Sequence, residues 1–171
     1  KFMKRIGFIG YGLRSETMMK AFRTLEADIT VAAIADPRWE TIAPGLKDDP
    51  YFVNTHYYND ADEMLEKEEL DGVFIGTRCS LHTHYACKVL EMNLPLFLEK
   101  PVSISREQYE QLRAAAAGKE HRCVVSFPLR LSSIVLEMKR IVDSGVLGKL
   151  TMVQAINNVP YGSVYYHSWY R

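Results

Sequence analysis

Lys4-Arg-Ile-Gly-Phe-Ile-Gly-Tyr-Gly-Leu-Arg-Ser15 decides how this chain is read. Apolar residues at 6, 8 and 9 run straight into Gly10-x-Gly12, and a helix-compatible segment follows. That order is how a parallel sheet presents a nucleotide phosphate to a helix N-terminus. Gly10 permits the tight turn, and Gly12 lets the backbone come close to a pyrophosphate. The third position of the fingerprint is Ser15 rather than Gly or Ala, still small enough for close helix–strand packing. A glycine-rich strand end is often only a turn, so the reading needs a second mark.

That mark is an acidic residue closing the next strand. Ile29-Thr-Val-Ala-Ala-Ile-Ala-Asp36 is a nearly continuous apolar run ending in a carboxylate, as suits a strand covered on both faces. Asp36 lies 26 residues after Gly10, near the offset of roughly 20 expected for a ribose-binding acid. Its carboxylate would accept hydrogen bonds from the adenosine ribose hydroxyls and repel a 2′-phosphate. Asp36-Pro37 is also a good helix start, and the two roles are compatible. Arg38, two positions on, can hold a 2′-phosphate, so NAD is the expected cofactor and NADP the alternative.

Size and composition narrow the class. The 171 residues suffice for one well-packed domain of ordinary size. Lysine plus arginine and aspartate plus glutamate stand at 21 each, so no basic excess steers the chain toward nucleic acid or an anionic membrane. No apolar run reaches the roughly 18 residues a membrane-spanning helix needs. Cys79, Cys87 and Cys123 cannot all pair internally and lack zinc-ribbon spacing, which points to a reducing, cytoplasmic compartment.

Strand and helix then alternate, as in a parallel α/β sheet. Met18, Met19, Phe22 and Leu25 mark a helix with one buried stripe. Thr55–Tyr58 reads as a short third strand, and Asp60-Ala-Asp-Glu63 as a capping box opening a helix to about Leu70. Strands follow at Asp71–Thr77, Pro95–Glu99 and Cys123–Phe127. The helix between the first two would bury Leu81, Tyr85, Val89 and Leu90. Ser105-Arg-Glu-Gln108 is another capping box and opens a helix to Gly118. The expectation is a Rossmann-like, doubly wound parallel sheet over residues 1–127, with strand order 3-2-1-4-5-6.

Beyond Phe127 the pattern changes. Ile134, Val135, Met138, Ile141 and Val142 make an amphipathic helix closed by Ser144-Gly145, and residues 148–157 read as a strand. An aromatic tail, Tyr161 to Arg171, follows. A lone strand and tail cannot bury a sheet face. Residues 128–171 are therefore expected to begin an incomplete α+β second domain for substrate and oligomerisation.

Glu99-Lys100-Pro101 stands after the fifth strand, in register with Gly10-Tyr-Gly12, Ala35-Asp-Pro37, Gly76-Thr-Arg-x-x-x-His82 and Gly145-x-x-Gly148-Lys-Leu150. Together these resemble the glucose–fructose oxidoreductase/inositol dehydrogenase (Gfo/Idh/MocA) family over essentially the whole chain. The resemblance implies an N-terminal Rossmann domain for NAD(P), and a second-domain sheet that binds a sugar, polyol or related substrate and pairs subunits into a homo-oligomer. It matches Gly10, Tyr11, Gly12, Leu13 and Arg14 to the pyrophosphate loop and Asp36 to the ribose acid. Thr77 and His82 match the loop beside the cofactor. Glu99 and Lys100 match the motif whose lysine lies near the nicotinamide and the substrate hydroxyl. Arg78 stands where many relatives have proline. His167-Ser-Trp-Tyr-Arg171 looks like a motif at the start of the second domain.

Lys100 also has a case of its own. Open parallel sheets bind ligands beyond the carboxyl ends of their strands, where Lys100 falls. An ammonium group there can hydrogen-bond a substrate oxygen and stabilise alkoxide character as hydride leaves carbon. Lys100-Pro101 is a candidate cis peptide. Cys79-x-x-His82-x-His84 offers only three zinc donors, and no metal site is assigned. The leading expectation is an NAD(P)-dependent oxidoreductase of sugars, polyols or related alcohols. The alternatives are glycoside cleavage through transient oxidation and a dinucleotide-binding module without catalysis.

Overall fold

The computed structural model describes residues 3–158. The chain divides after Phe127 into two units. In the first, six strands alternate with helices: β1 (Lys4–Ile9), α1 (Leu13–Thr24), β2 (Ile29–Ala35), α2 (Trp39–Ile42), β3 (His56–Tyr58), α3 (Ala61–Lys67), β4 (Gly72–Ile75), α4 (His82–Glu91), β5 (Leu96–Leu98), α5 (Arg106–Ala116) and β6 (Cys123–Val125). The strands form one parallel sheet in the order β3-β2-β1-β4-β5-β6. This is the expected Rossmann-like, doubly wound arrangement.

Each face of the sheet carries its own core. Ile9, Val73, Ile75, Leu96 and Leu98 meet Met64 and Leu65 of α3 and Ala86, Val89 and Leu90 of α4. On the other face Phe8, Val31, Ile34 and Phe74 pack with Met19 of α1, Phe52 and Tyr11. Pairing with β1 slips between Ile6 and Gly7, so that Val31 and Ala33 face adjacent residues and Ala32 is extra. Such a bulge breaks the two-residue alternation. Val31 and Ile34 consequently share one core while Ala33 and Ala35 join the other. Phe8, Phe74 and Phe97 stand in register across β1, β4 and β5, with ring centroids 5.1 and 5.4 Å apart.

Several local expectations change. Leu25 is 75% exposed as the C-cap of α1 and does not join the buried stripe, because the helix ends at Thr24. Leu81 lies before α4 and is exposed, while His82 and Thr83 take the buried positions at the helix start. Asp60 caps α3 through the Asp62 N–H, and Glu63 turns away to pair with Lys67. At α5 only half of the expected capping box forms: the Gln108 N–H donates to Ser105 Oγ, while Gln108 Oε1 accepts from the N–H of Ile104, one residue before the cap.

In the second unit, α6 (Ser133–Asp143) is capped by Ser132 and followed by Gly145 at φ 73°. The strand expected over 148–157 does not form: residues 149–158 are irregular and exposed. A strand needs a neighbour to take its outward N–H and C=O groups, and among the described residues none lies beside this segment. The His167–Arg171 motif and the aromatic tail from Tyr161 lie outside the described residues.

Candidate functional site

The chain reverses at the carboxyl end of β1 through Gly10, whose φ is +79°. A Cβ there would sit 3.0 Å from the Thr77 backbone, so glycine allows the turn to press against the loop after β4. Gly12 is the N-cap of α1, and no side chain caps the helix. A Cβ at Gly12 would meet nothing within 4 Å. The start of α1 is thus uncapped by any side chain and borders open space at Gly12, an arrangement suited to an anion. Ser15 is fully buried and donates its hydroxyl to Gly10 O at 2.7 Å, fastening the turn from beneath. The fingerprint's serine replaces a glycine's bare packing with a hydrogen bond.

Asp36 follows β2 and is 4% exposed. Its Oδ2 accepts from the Tyr11 N–H at 2.9 Å and from Arg38 Nη2 at 3.1 Å. Its Oδ1 accepts from the Arg38 N–H at 2.9 Å and Nε at 3.1 Å. Burial raises the carboxyl pKa, but hydrogen bonds from the Arg38 side chain, Tyr11 and the Arg38 amide, with the Arg38 charge, outweigh it and hold Asp36 below its usual value. Asp36 and the glycine turn are therefore physically joined. The Tyr11 ring points into the core, against Phe8 and Phe52, where burial pushes its phenol pKa up. Tyr11 contributes its backbone to the site, and that N–H is engaged by Asp36.

The loops after β4 and β5 are tied by the start of α4. His82 is 1% exposed, with Nδ1 2.7 Å from Pro101 O and Nε2 3.1 Å from Thr77 O. Thr83 Oγ1 donates to Val102 O at 2.9 Å. His82 braces the two loops from within, and Thr77 meets the glycine turn. With both ring nitrogens turned to carbonyls, His82 is no metal ligand. No group of three or more His, Cys, Asp or Glu residues that could hold a metal occurs among the described residues.

Glu99 follows β5 with a side chain 5% exposed, accepting from Arg14 Nη2 at 3.1 Å. This pair links the start of α1 to the segment after β5 that carries Lys100. Lys100 itself is exposed, and its peptide to Pro101 is cis. Its side chain makes no hydrogen bond or ion pair among the described residues. Leu13 is exposed at the first position of α1. Gly10, Gly12, Leu13, Arg14, Asp36, Arg38, Thr77, Glu99 and Lys100 thus all fall along the carboxyl edge of the sheet. A concavity of about 430 Å³, lined by Ile6, Asp71, Leu96, Arg122 and Val124, opens at the opposite, amino edge.

Residues 4–127 match GFO_IDH_MocA, described as "Oxidoreductase family, NAD-binding Rossmann fold". The chain belongs to this family. Among curated relatives in the family, inositol 2-dehydrogenase 2 of Saccharopolyspora erythraea is 27% identical over 89% of the chain and 44% of its own length. The rhizopine catabolism protein MocA of Rhizobium meliloti is 24% identical over 87% of the chain and 45% of its own length. The chain therefore spans less than half the length of these relatives. A myo-inositol dehydrogenase of Lactobacillus casei, crystallised with NAD(H) and myo-inositol, superposes with a TM-score of 0.76 at 22% identity, over 86% of the chain and 43% of that structure. At that identity the likeness concerns the fold.

Sequence reasoning missed two residues that fasten the family's site here: Thr83 and the structural use of Ser15. Thr83 carried no signal, since its partner is a backbone carbonyl 19 residues away. Ser15 was legible only as a small residue, not as a donor.

Proposed function

We propose that this chain is the dinucleotide-binding part of an NAD-dependent oxidoreductase that takes hydride from an alcohol carbon of a sugar, polyol or related compound. The observation that carries this reading is the uncapped start of α1, with open space at Gly12, beside Asp36, and Lys100 after β5 on the same edge of the sheet. Relatives that bear inositol dehydrogenase names, and one structure holding NAD(H) with myo-inositol, support the substrate class.

When bound, the nicotinamide supplies the hydride acceptor. The chain's own groups bind and orient. The amides of Leu13 and Arg14, at the positive end of the α1 dipole, face the pyrophosphate charge. Asp36 receives the adenosine ribose hydroxyls. The Lys100 ammonium donates to the substrate oxygen and stabilises negative charge there as its carbon–hydrogen bond breaks. His82 and Thr83 hold the Pro101 and Val102 carbonyls, which fixes the turn carrying Lys100. A homo-oligomeric assembly and a cytoplasmic location belong to the same proposal. The first rests on the family resemblance, the second on the unpaired Cys79, Cys87 and Cys123.

The test is NADH formation across a panel of sugars and polyols, assayed with this chain and with any longer polypeptide that carries it. Lys100→Ala should lower turnover by about 10²–10⁴-fold while dinucleotide affinity stays within about twofold. Equal turnover by the variant would remove Lys100 from the chemistry. Absence of NADH formation with every substrate, in a longer polypeptide that carries this chain and binds NAD, would remove the oxidoreductase reading.

A further inference from the structure

One quarter of the sheet is bare. On the face that carries Phe8 and Phe74, Met19 and Phe22 of α1 and Ile42 of α2 pack over β1 and β2. Helices α3, α4 and α5 lie on the other face. The winding of the chain makes this so. Right-handed crossovers that build β1-β2-β3 put their helices on one face, and those that build β4-β5-β6 in the opposite direction put theirs on the other. No connection between these strands can therefore cover the first face over β5 and β6. Phe8, Phe74, Phe97 and Val124 stand in register across that face. Exposure rises along the row, from 0% at Phe8 and 2% at Phe74 to 55% at Val124. The concavity of about 430 Å³ is the hollow over the far end of this row, with Phe22 of α1 on its lining.

Parallel sheets are stable when both faces are covered. We propose that this surface docks one amphipathic α-helix, contributed by a part of a longer polypeptide that lies outside these 171 residues. The size fits: β4, β5 and β6 span two interstrand spacings, about 10 Å, which is the diameter of one helix. The charge fits as well. A helix running antiparallel to the strands, as crossover helices do, ends at the amino edge, where His121 and Arg122 are exposed. Arg122 donates to the Asn93 carbonyl and meets no carboxylate among the described residues, so its guanidinium can face the carbonyls of a helix C-terminus. Asp71, also on the rim, is already paired with Lys4. A second copy has no such helix to offer from its own sheet unit, because α1, α3, α4 and α5 bury their apolar sides in its two cores. The curated relatives carry more than half of their length outside the portion matched here. The docking surface rests on the fold and is independent of the oxidoreductase reading.

The experiment places a reporter thiol with Val124→Cys, in a Cys123→Ser background so that one cysteine stands in the labelled stretch. N-ethylmaleimide modification at position 124 is followed by peptide mass spectrometry, in this chain and in any longer polypeptide that carries it. Each rate is taken relative to the same protein unfolded in guanidinium, and circular dichroism confirms that both are folded. The thiol should react at close to the unfolded rate in this chain, and at least about tenfold more slowly in the longer polypeptide. A second variant, Val124→Asp, should leave the melting temperature of this chain within about 2 °C of wild type, as an exposed substitution does. In the longer polypeptide it should speed hydrogen exchange at least about tenfold in one helical segment outside residues 1–171. Fast labelling in both proteins would overturn the proposal, and so would protection already present in this chain. Protection that fades on dilution would assign the surface to a second copy instead. Val124→Asp loosening no segment outside residues 1–171 would equally contradict the docked helix.

Discussion

Ser15 and Gly76 show how tightly single residues constrain the glycine turn. A Cβ on Gly76 would lie 2.7 Å from Phe74 Cε1 and 2.8 Å from Ser15 Oγ. Phe74 is 2% exposed and Ser15 fully buried, so neither can move aside freely. Gly76→Ala should destabilise the chain by about 1–3 kcal/mol, as overpacking does, read as a lower urea midpoint at unchanged m-value. An unchanged midpoint would mean that the turn yields more readily than its packing shows. At Asp36, Asp36→Ala would strand the Tyr11 amide and free Arg38; it should weaken NAD more than NADP in parallel titrations. The opposite ranking would reassign the cofactor. Asp36 was legible in the sequence because its offset from Gly10 is a backbone property of the strand–helix–strand unit. The fate of Tyr11 was not, because its ring is held by Phe8 and Phe52, the latter distant in the chain.

Between elements, the α3 C-cap Glu68 joins two strands, β1 and β3, to α3 at one carboxylate. Its side chain, 5% exposed, accepts from Tyr58 Oη at 2.6 Å, from His56 Nδ1 at 2.5 Å and from Arg5 Nη2 at 2.9 Å. Burial raises the Glu68 pKa, but the Tyr58 and His56 hydrogen bonds and the charges of His56 and Arg5 bring it below its usual value. The Tyr58 phenol is pushed up to about 12 by burial and by that carboxylate. A depressed folded pKa contributes stability that is complete above the unfolded value of about 4.3 and lost as pH falls through the folded one. Glu68→Gln should therefore cost about 1–3 kcal/mol at neutral pH, and its melting temperature should converge on wild type in acid. Parallel melting curves down the pH scale would contradict this. Such a junction is invisible in sequence, where residues 5, 56, 58 and 68 share no period. Elements with internal signals fared better: the Ser105 cap of α5 and the apolar runs at 29–35 and 72–75 stand as expected. The strand over 148–157 failed because pairing partners, not its own residues, create a strand.

Across the first unit, the six-stranded order gathers the turn after β1, Asp36 after β2, Thr77 after β4 and Lys100 after β5 on one edge. All four positions were named from the sequence, and their gathering on one edge follows because parallel strands end on the same side wherever helices return the chain. The clasps between them, Arg14 to Glu99 and His82 to Pro101, join residues 85 and 19 apart and needed the fold to appear. A ligand that binds this edge only in the folded chain must raise its stability. NAD at about one hundred times its dissociation constant should add about 2.7 kcal/mol, a shift of about 5–10 °C for a chain of this size. The most direct test of the account is amide chemical-shift mapping during an NAD titration. Binding should perturb the amides of Gly12, Leu13, Arg14, Arg38 and Thr77 together, with saturation at one ligand per chain. Saturable shifts clustered instead around Asp71, Leu96 and Arg122 at the amino edge, or no shifts at all in a folded chain, would contradict it.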